Sequence, residues 1–208
     1  MPPSTIQRAP QQDALALFEG AESFQSYLNR YAHELPRLTP GSFMEKARGS
    51  PDLNCHCYAI GMESGYESPA ERLTKGLSRM ECLQRITAWF QDRGFVPIEA
   101  ANQQELTRRD KRHEKVVVYG ITGSQAREFL RERTSRISED LKSTLAVAFS
   151  HGDDALYPTH SIVQHFDGQW ESKMGSGPVI RIDSPECFSG GVYGMPALAF
   201  QRPRRRFG

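Results

Sequence analysis

Residues 161–174 read Ser-Ile-Val-Gln-His-Phe-Asp-Gly-Gln-Trp-Glu-Ser-Lys-Met, and this stretch decides the fold class. Asp167-Gly168 is a two-residue turn signal between two strand-like segments, which predicts a β-hairpin over 161–166 and 169–174. Further on, Val179–Ile182 and residues 192–200 predict two more strands. Toward the N-terminus the apolar period lengthens to that of helices. One charged helix is expected between Gly123 and Ser150, with Leu130, Ile137, Leu141, Leu145 and Ala148 inward. Its collar of Arg and Glu reads as a solvated face. The β-branched run 115–119 and residues 95–98 predict strands, and a helix ending at Gly94 buries Leu77, Met80, Leu83, Ile86, Trp89 and Phe90. Residues 40–51 read as a loop. Residues 1–12 read as a polar tail, followed by an amphipathic helix from Asp13 to Leu35 that Pro36 and Pro40 close. Helices first and an antiparallel sheet last make an α+β chain.

The 208 residues carry 26 Lys+Arg against 25 Asp+Glu, a net charge of +1, so no overall field draws the chain to nucleic acid or anionic lipid. With 38% hydrophobic and 25% charged residues it reads as a globular chain. Its longest apolar runs fall far short of the roughly 20 residues that cross a bilayer, so no membrane partner is expected. The opening MPPSTIQRAPQQDALALFEG lacks a basic stretch followed by an apolar core. No cleaved secretory signal is therefore expected: the protein acts in the cytoplasm or leaves through a specialised secretion system.

Four cysteines are too few for a disulfide scaffold, and Cys55 and Cys57 are too close to bridge without strain. Cys55 precedes a short segment, 57–61, that could open a helix. A thiol at a helix N-terminus faces unpaired N–H groups and the positive end of the macrodipole, which favour thiolate. Position alone favours an inert buried cysteine over an activated one. His160, at the start of a strand after Pro158-Thr159, is the candidate base, because a cysteine at a helix start and a histidine at a strand start can form a nucleophile–base pair. An orienting group is then needed on a neighbouring strand. Asp183, closing the 179–182 strand, is expected to fill that role, with Asp167 and Glu171 weaker candidates. Asn54 and the Cys55 N–H are expected to contribute to an oxyanion site. His33, His113, His151 and His165 read as structural.

Other chemistry is less well supported. Cys55, His56, Cys57 and Cys82 offer one cramped cluster rather than the paired knuckles of a zinc site. Gly175 and Gly177 do not lie between a strand and a helix, as a phosphate loop would. The basic end around Arg202, Arg204, Arg205 and Arg206 lacks interleaved aromatics. No metal, cofactor or nucleic acid is expected.

The order of motifs resembles a family of uncharacterised bacterial papain-like domains, similar to NlpC/P60 hydrolases. The resemblance rests on Asn54-Cys55, Glu114-Lys115, Pro158-Thr159-His160, the Asp-Gly-x-Trp-x-Ser-Lys-x-Gly run from Asp167 to Gly175, the Gly-Gly-Val-Tyr-Gly run from Gly190 to Gly194, and Arg202-Pro203-Arg204. It covers roughly residues 50–204 and is most specific in the last fifty. It implies a domain over 41–208 with a helical insertion at about 121–157, preceded by a tail and helix over 1–40. It also implies a cysteine hydrolase with Cys55 as nucleophile, His160 as base and Asp183 where relatives commonly carry histidine. The expected activity is hydrolysis of an amide bond in a protein or peptide by a protease, amidase or deamidase, in a toxin or effector. The 13–35 helix is expected to lay its apolar stripe on the domain as a docked extension, the alternative being a chaperone, immunity or secretion partner. A non-catalytic adaptor on the same scaffold is the alternative.

Overall fold

A computed structural model describes residues 35–203 except 40, 48–49, 51, 99–105, 107, 134–138 and 176. The expected 13–35 helix lies outside the described residues apart from Leu35, which is buried in the core. In chain order the elements are β1 (Phe43–Ala47), α1 (Cys55–Ala59), α2 (Arg79–Gln91), β2 (Val96–Pro97) and β3 (His113–Thr122). There follow α3 (Gly123–Arg133), α4 (Glu139–Ser150), β4 (Leu156–Gln164), β5 (Trp170–Lys173), β6 (Val179–Ile182) and β7 (Met195–Pro203). The α+β class is observed. The strands form one seven-stranded sheet in the order β1-β6-β5-β4-β3-β7-β2, with every neighbouring pair antiparallel.

Two expectations are corrected in outline. The sheet is not confined to the C-terminal part: β1, expected as loop, pairs with β6 at one edge, and β2 pairs with β7 at the other. The single helix expected over 123–150 is two, α3 and α4.

Helices cover both faces. On one, α2 is started by a capping box in which Ser78 Oγ accepts from Glu81 N–H and Glu81 returns to Ser78 N–H. Its Ile86, Trp89 and Phe90 pack on Val116, Val118, Val163 and Phe200, with Phe90 stacked on Phe200 at 4.4 Å between ring centroids. On the other face Ala126, Leu141, Leu145 and Ala148 meet Val117, Tyr119, Ile121 and Ile162. Alternate residues of β3 and β4 thus serve opposite layers.

The β4–β5 hairpin forms, but not around the two-residue turn. His165 N–H donates to Gln169 O and Gly168 N–H to His165 O, so three residues, Phe166 to Gly168, make the loop, with Gly168 at φ +89°. A third loop residue in a left-handed conformation is the next commonest hairpin closure. It moves the register by one, pairing Gln164 with Trp170 and Ile162 with Ser172. Across β3 and β4, Tyr119 faces His160 but Gly120 faces Pro158, leaving Thr159 as a bulge. Its hydroxyl donates to Tyr193 O at 2.6 Å. The Gly190–Gly194 loop lies against this bulge, and a Cβ on Gly194 (φ +77°) would stand 2.0 Å from Gly120 O, so only glycine fits there.

Glu171, on the α1 face of β5, is 1% exposed and gathers four partners. Lys46 donates to Oε1 at 2.5 Å and Arg181 to the same oxygen at 3.3 Å; Tyr58 OH donates to Oε2 at 2.6 Å and His165 Nε2 meets it at 2.9 Å. Burial alone would raise its pKa, but His165, Lys46 and Tyr58 together hold the carboxyl well below the usual carboxylate range. Glu171→Gln keeps the shape and removes the charge. We expect a loss of about 2 kcal/mol, below the value for a fully buried pair because Lys46 and Arg181 stay partly solvated. The check is a lower urea midpoint at an unchanged m-value.

Candidate functional site

Asn54 starts the site by starting a helix. Its Oδ1 accepts from Cys57 N–H at 2.8 Å, the N-cap arrangement, and Cys55 becomes the first residue of α1. The helix therefore begins two residues earlier than the expected 57–61 segment. The other end of the Asn54 amide, Nδ2, donates to Glu67 O at 3.1 Å. Asn54 thus orients the cysteine through its cap, and one of the two Nδ2 hydrogens is committed to Glu67 O. Cys57 directs its thiol to Glu67 O at 3.4 Å.

Cys55 is 8% exposed. Burial dominates its chemistry and pushes the thiol up to about 11, against the pull of backbone hydrogen bonding from Ser161, Cys55 itself and His56. Its place in the first turn of α1 accounts for the contributions of Cys55 and His56, and β4 beneath supplies that of Ser161. In the resting arrangement it is a neutral thiol beside groups that would welcome a negative charge.

His160 is 1% exposed and lies within β4, four residues past its start, rather than at its tip. Its ring stacks on Tyr193 at 4.4 Å between centroids and tilts against Phe188 at 4.9 Å. Nε2 pairs with Ser172 Oγ at 2.6 Å. Ser161, the next residue, turns the other way and meets His56 Nδ1 at 2.8 Å under α1. Burial pushes both imidazoles down, His160 to about 3 with a smaller contribution from His56, and His56 to about 4. Cys55 and His160 are thus both next to the Ser161 peptide, but strand alternation sends the ring away from α1. No hydrogen bond joins the thiol to either imidazole.

Asp183 is not brought to this place. It is exposed, just past β6. Ser172 pairs with Ile162 on one side and Ile180 on the other, so His160 is level with Pro178, five residues from Asp183. At ~3.3 Å per residue that is roughly 16 Å along the strands. Ser172 holds the ring instead. The sequence reading missed Ser172 because the two-residue turn would have placed Lys173, not Ser172, opposite Ile162. It also missed His56, Ser161 and Lys173, whose signal is burial of polar groups, which periodicity does not reveal.

Among the described residues no three His, Cys, Asp or Glu side chains converge as a metal set. None of the described helices is long and apolar enough to cross a membrane. A cleft of about 290 Å³ opens elsewhere, between Arg79, the Thr122–Gln125 segment at the start of α3, Leu156 and Met195. Compared with protein-family models, with curated proteins and with solved structures, the chain matches none.

Both imidazoles titrate below the ordinary value of 6.5, at about 3 and about 4. The unfolded chain therefore binds more protons as the pH falls from about 6.5 toward 4, and stability must fall over that window. Denaturation midpoints should drop between about pH 7 and pH 5, and His56→Asn should flatten that acid limb.

Proposed function

We propose that the chain is a thiol-dependent hydrolase of amide bonds, a protease, amidase or deamidase, with Cys55 as nucleophile. The observation that carries this reading is the setting of the sulfur, on the first residue of a helix that Asn54 caps, where backbone hydrogen bonding favours the thiolate against burial. Donors that favour a thiolate can also hold the oxyanion that develops when sulfur adds to a carbonyl. Around them is a cluster of buried polar groups, His56, His160, Ser161, Ser172 and Lys173, which packing alone does not require. His160 is the proposed base. With Nε2–H donated to Ser172 Oγ, Nδ1 carries the lone pair that takes the thiol proton and later returns it to the leaving nitrogen. Water then resolves the thioester. Because the ring faces the other layer at rest, the reading requires β4 or α1 to shift around Ser161 when substrate binds. A papain-like scaffold and a toxin or effector delivered by a specialised secretion system belong to the same proposal.

A non-catalytic binding module is the second reading. One observation favours it: burial keeps both the thiol and the His160 ring neutral, with no hydrogen bond between them.

Alkylation separates the two. Iodoacetamide near neutral pH should label Cys55 ahead of Cys57, Cys82 and Cys187, and His160→Ala should slow that labelling about tenfold or more. Equal labelling of the four thiols, unchanged in His160→Ala, would favour the binding module. Expression of wild type and Cys55→Ala in the cytoplasm and periplasm of a bacterium, and in a eukaryotic cell, reads out toxicity. The hydrolase reading predicts growth inhibition that Cys55→Ala removes.

A further inference from the structure

Helix α1 is five residues long and packs on β4 and β5. The same face of the sheet stays open to solvent over β6 and β1, where Met44 and Arg181 are paired across the ladder and a bulge brings Lys46 to Glu171. Met44 is exposed there, and the side chains of Lys46 and Arg181 keep 48% and 32% of their surface open.

Both cations converge on one oxygen. Lys46 Nζ donates to Glu171 Oε1 at 2.5 Å and Arg181 Nη2 to the same atom at 3.3 Å, while Tyr58 and His165 take Oε2. Asp183, two residues beyond Arg181, forms an ion pair with neither cation. One carboxylate thus faces two full positive charges. The guanidinium is also underused: among the described residues its one partner is Glu171, at the longer distance, and its buried Nε has no acceptor. An arginine kept only to neutralise Glu171 would be expected to close that donor, because an unmet buried N–H costs stability.

Two measures set this place relative to Cys55. Tyr58, three residues after Cys55 in α1, touches Glu171. In the sheet, Glu171 pairs with Val163, two residues past Ser161, and Ser161 Oγ meets His56, the neighbour of Cys55, at 2.8 Å. Two strand residues span roughly 7 Å, so an extended chain with its carbonyl at Cys55 can bring a side chain over the cations two residues away. We propose that Lys46 and Arg181 form a subsite for an acidic side chain, so that the substrate is a polypeptide carrying Asp or Glu two residues from the scissile amide. The inference rests on the hydrolase reading for its purpose. A carboxylate at this place gains charge-assisted bonds from the terminal N–H groups of the guanidinium and the remaining ammonium hydrogens, and Met44 beside them offers apolar contact to its methylenes.

Two measurements test it. The first is binding to the intact chain. Acetyl-glycyl-glutamate α-amide should shift the Arg181 Nε resonance in a saturable nitrogen NMR titration, its glutamine counterpart should not, and Lys46→Gln should weaken the effect. The second reads the site. Iodoacetyl-glycyl-glutamate α-amide and its glutamine counterpart carry the same reactive carbon, so the ratio of their rates at Cys55 cancels the reactivity of the thiol itself. That ratio should exceed the value for N-acetylcysteine amide about threefold or more, the scale of an exposed ion pair, and should shrink as salt is raised. Lys46→Gln and Arg181→Gln should return it to the value for the small thiol, while Lys46→Arg and Arg181→Lys keep most of it. A purely structural pair would lower stability and change both rates together. If Arg181→Gln does not fold, the wild-type ratio, its salt dependence and Lys46→Gln decide. A ratio equal to that of the small thiol, or one that the glutamine substitutions leave in place, overturns the inference. So does a glutamate peptide that binds no better than its glutamine counterpart. No labelling of Cys55 by either reagent removes the hydrolase reading, and the titration alone then decides the subsite. Cys55-dependent hydrolysis of acidic and neutral peptides at equal rates keeps the hydrolase and removes the subsite.

Discussion

Burying the Glu171 carboxylate costs several kcal/mol unless cations and donors reach it, and four segments supply them. Lys46 comes from a bulge in the edge strand β1, Tyr58 from α1, His165 from the end of β4 beside the hairpin loop, and Arg181 from β6. The contact from Tyr58 is the one that bears on the site. Within a five-residue helix, Tyr58 on the sheet at one end and Asn54 capping the other leave α1 little freedom to roll. Cys55 is placed over β4 as a consequence. The position of the candidate nucleophile therefore depends on a charge several residues away on another strand.

The surroundings of Cys55 combine two opposing effects. Desolvation favours the neutral forms of Cys55 and of both imidazoles: the thiol rises to about 11 and the imidazoles fall to about 3 and about 4. Backbone hydrogen bonding acts the other way, in favour of a negative sulfur. At rest desolvation wins. A buried thiol whose neighbours are nearly all donors gains more from ionisation than one buried among aliphatic side chains, because the donors are already oriented and need no reorganisation. Cys82, buried among Ile86, Trp89 and Phe90, shows the same kind of balance, with burial raising its thiol and backbone hydrogen bonding from Leu156 and Cys82 itself lowering it.

Much of this was legible in the sequence, and what was not has identifiable causes. The α+β class followed from the change of period along the chain, and α2 from its apolar stripe and Gly94. Cys55 at a helix start was readable from the loop before it, although the helix begins two residues earlier than the apolar segment suggested because Asn54 caps it. Strand β1 was missed because it is a short, exposed edge lying among Pro and Gly, where alternation has little to bury. Asp183 failed for a different reason. Its placement beside His160 required a strand register, and register is a property of loops and bulges rather than of the strands they join.

That last point governs the site more than any single side chain does. Four consecutive residues, Trp170 to Lys173, are all buried, so β5 serves both faces at once. The third residue of the hairpin loop sets Trp170 and Ser172 on the His160 side and Glu171 and Lys173 under α1. Had Asp167-Gly168 closed the hairpin alone, the period of two would exchange them. Glu171 would then lose Tyr58, the His160 ring would lose its serine, and an ammonium would face the aromatic layer of Phe188 and Tyr193. The positive φ of Gly168 is thus a condition for the polar cluster, because only that loop puts the carboxylate, the hydroxyl and the ammonium each on the face where its partners are.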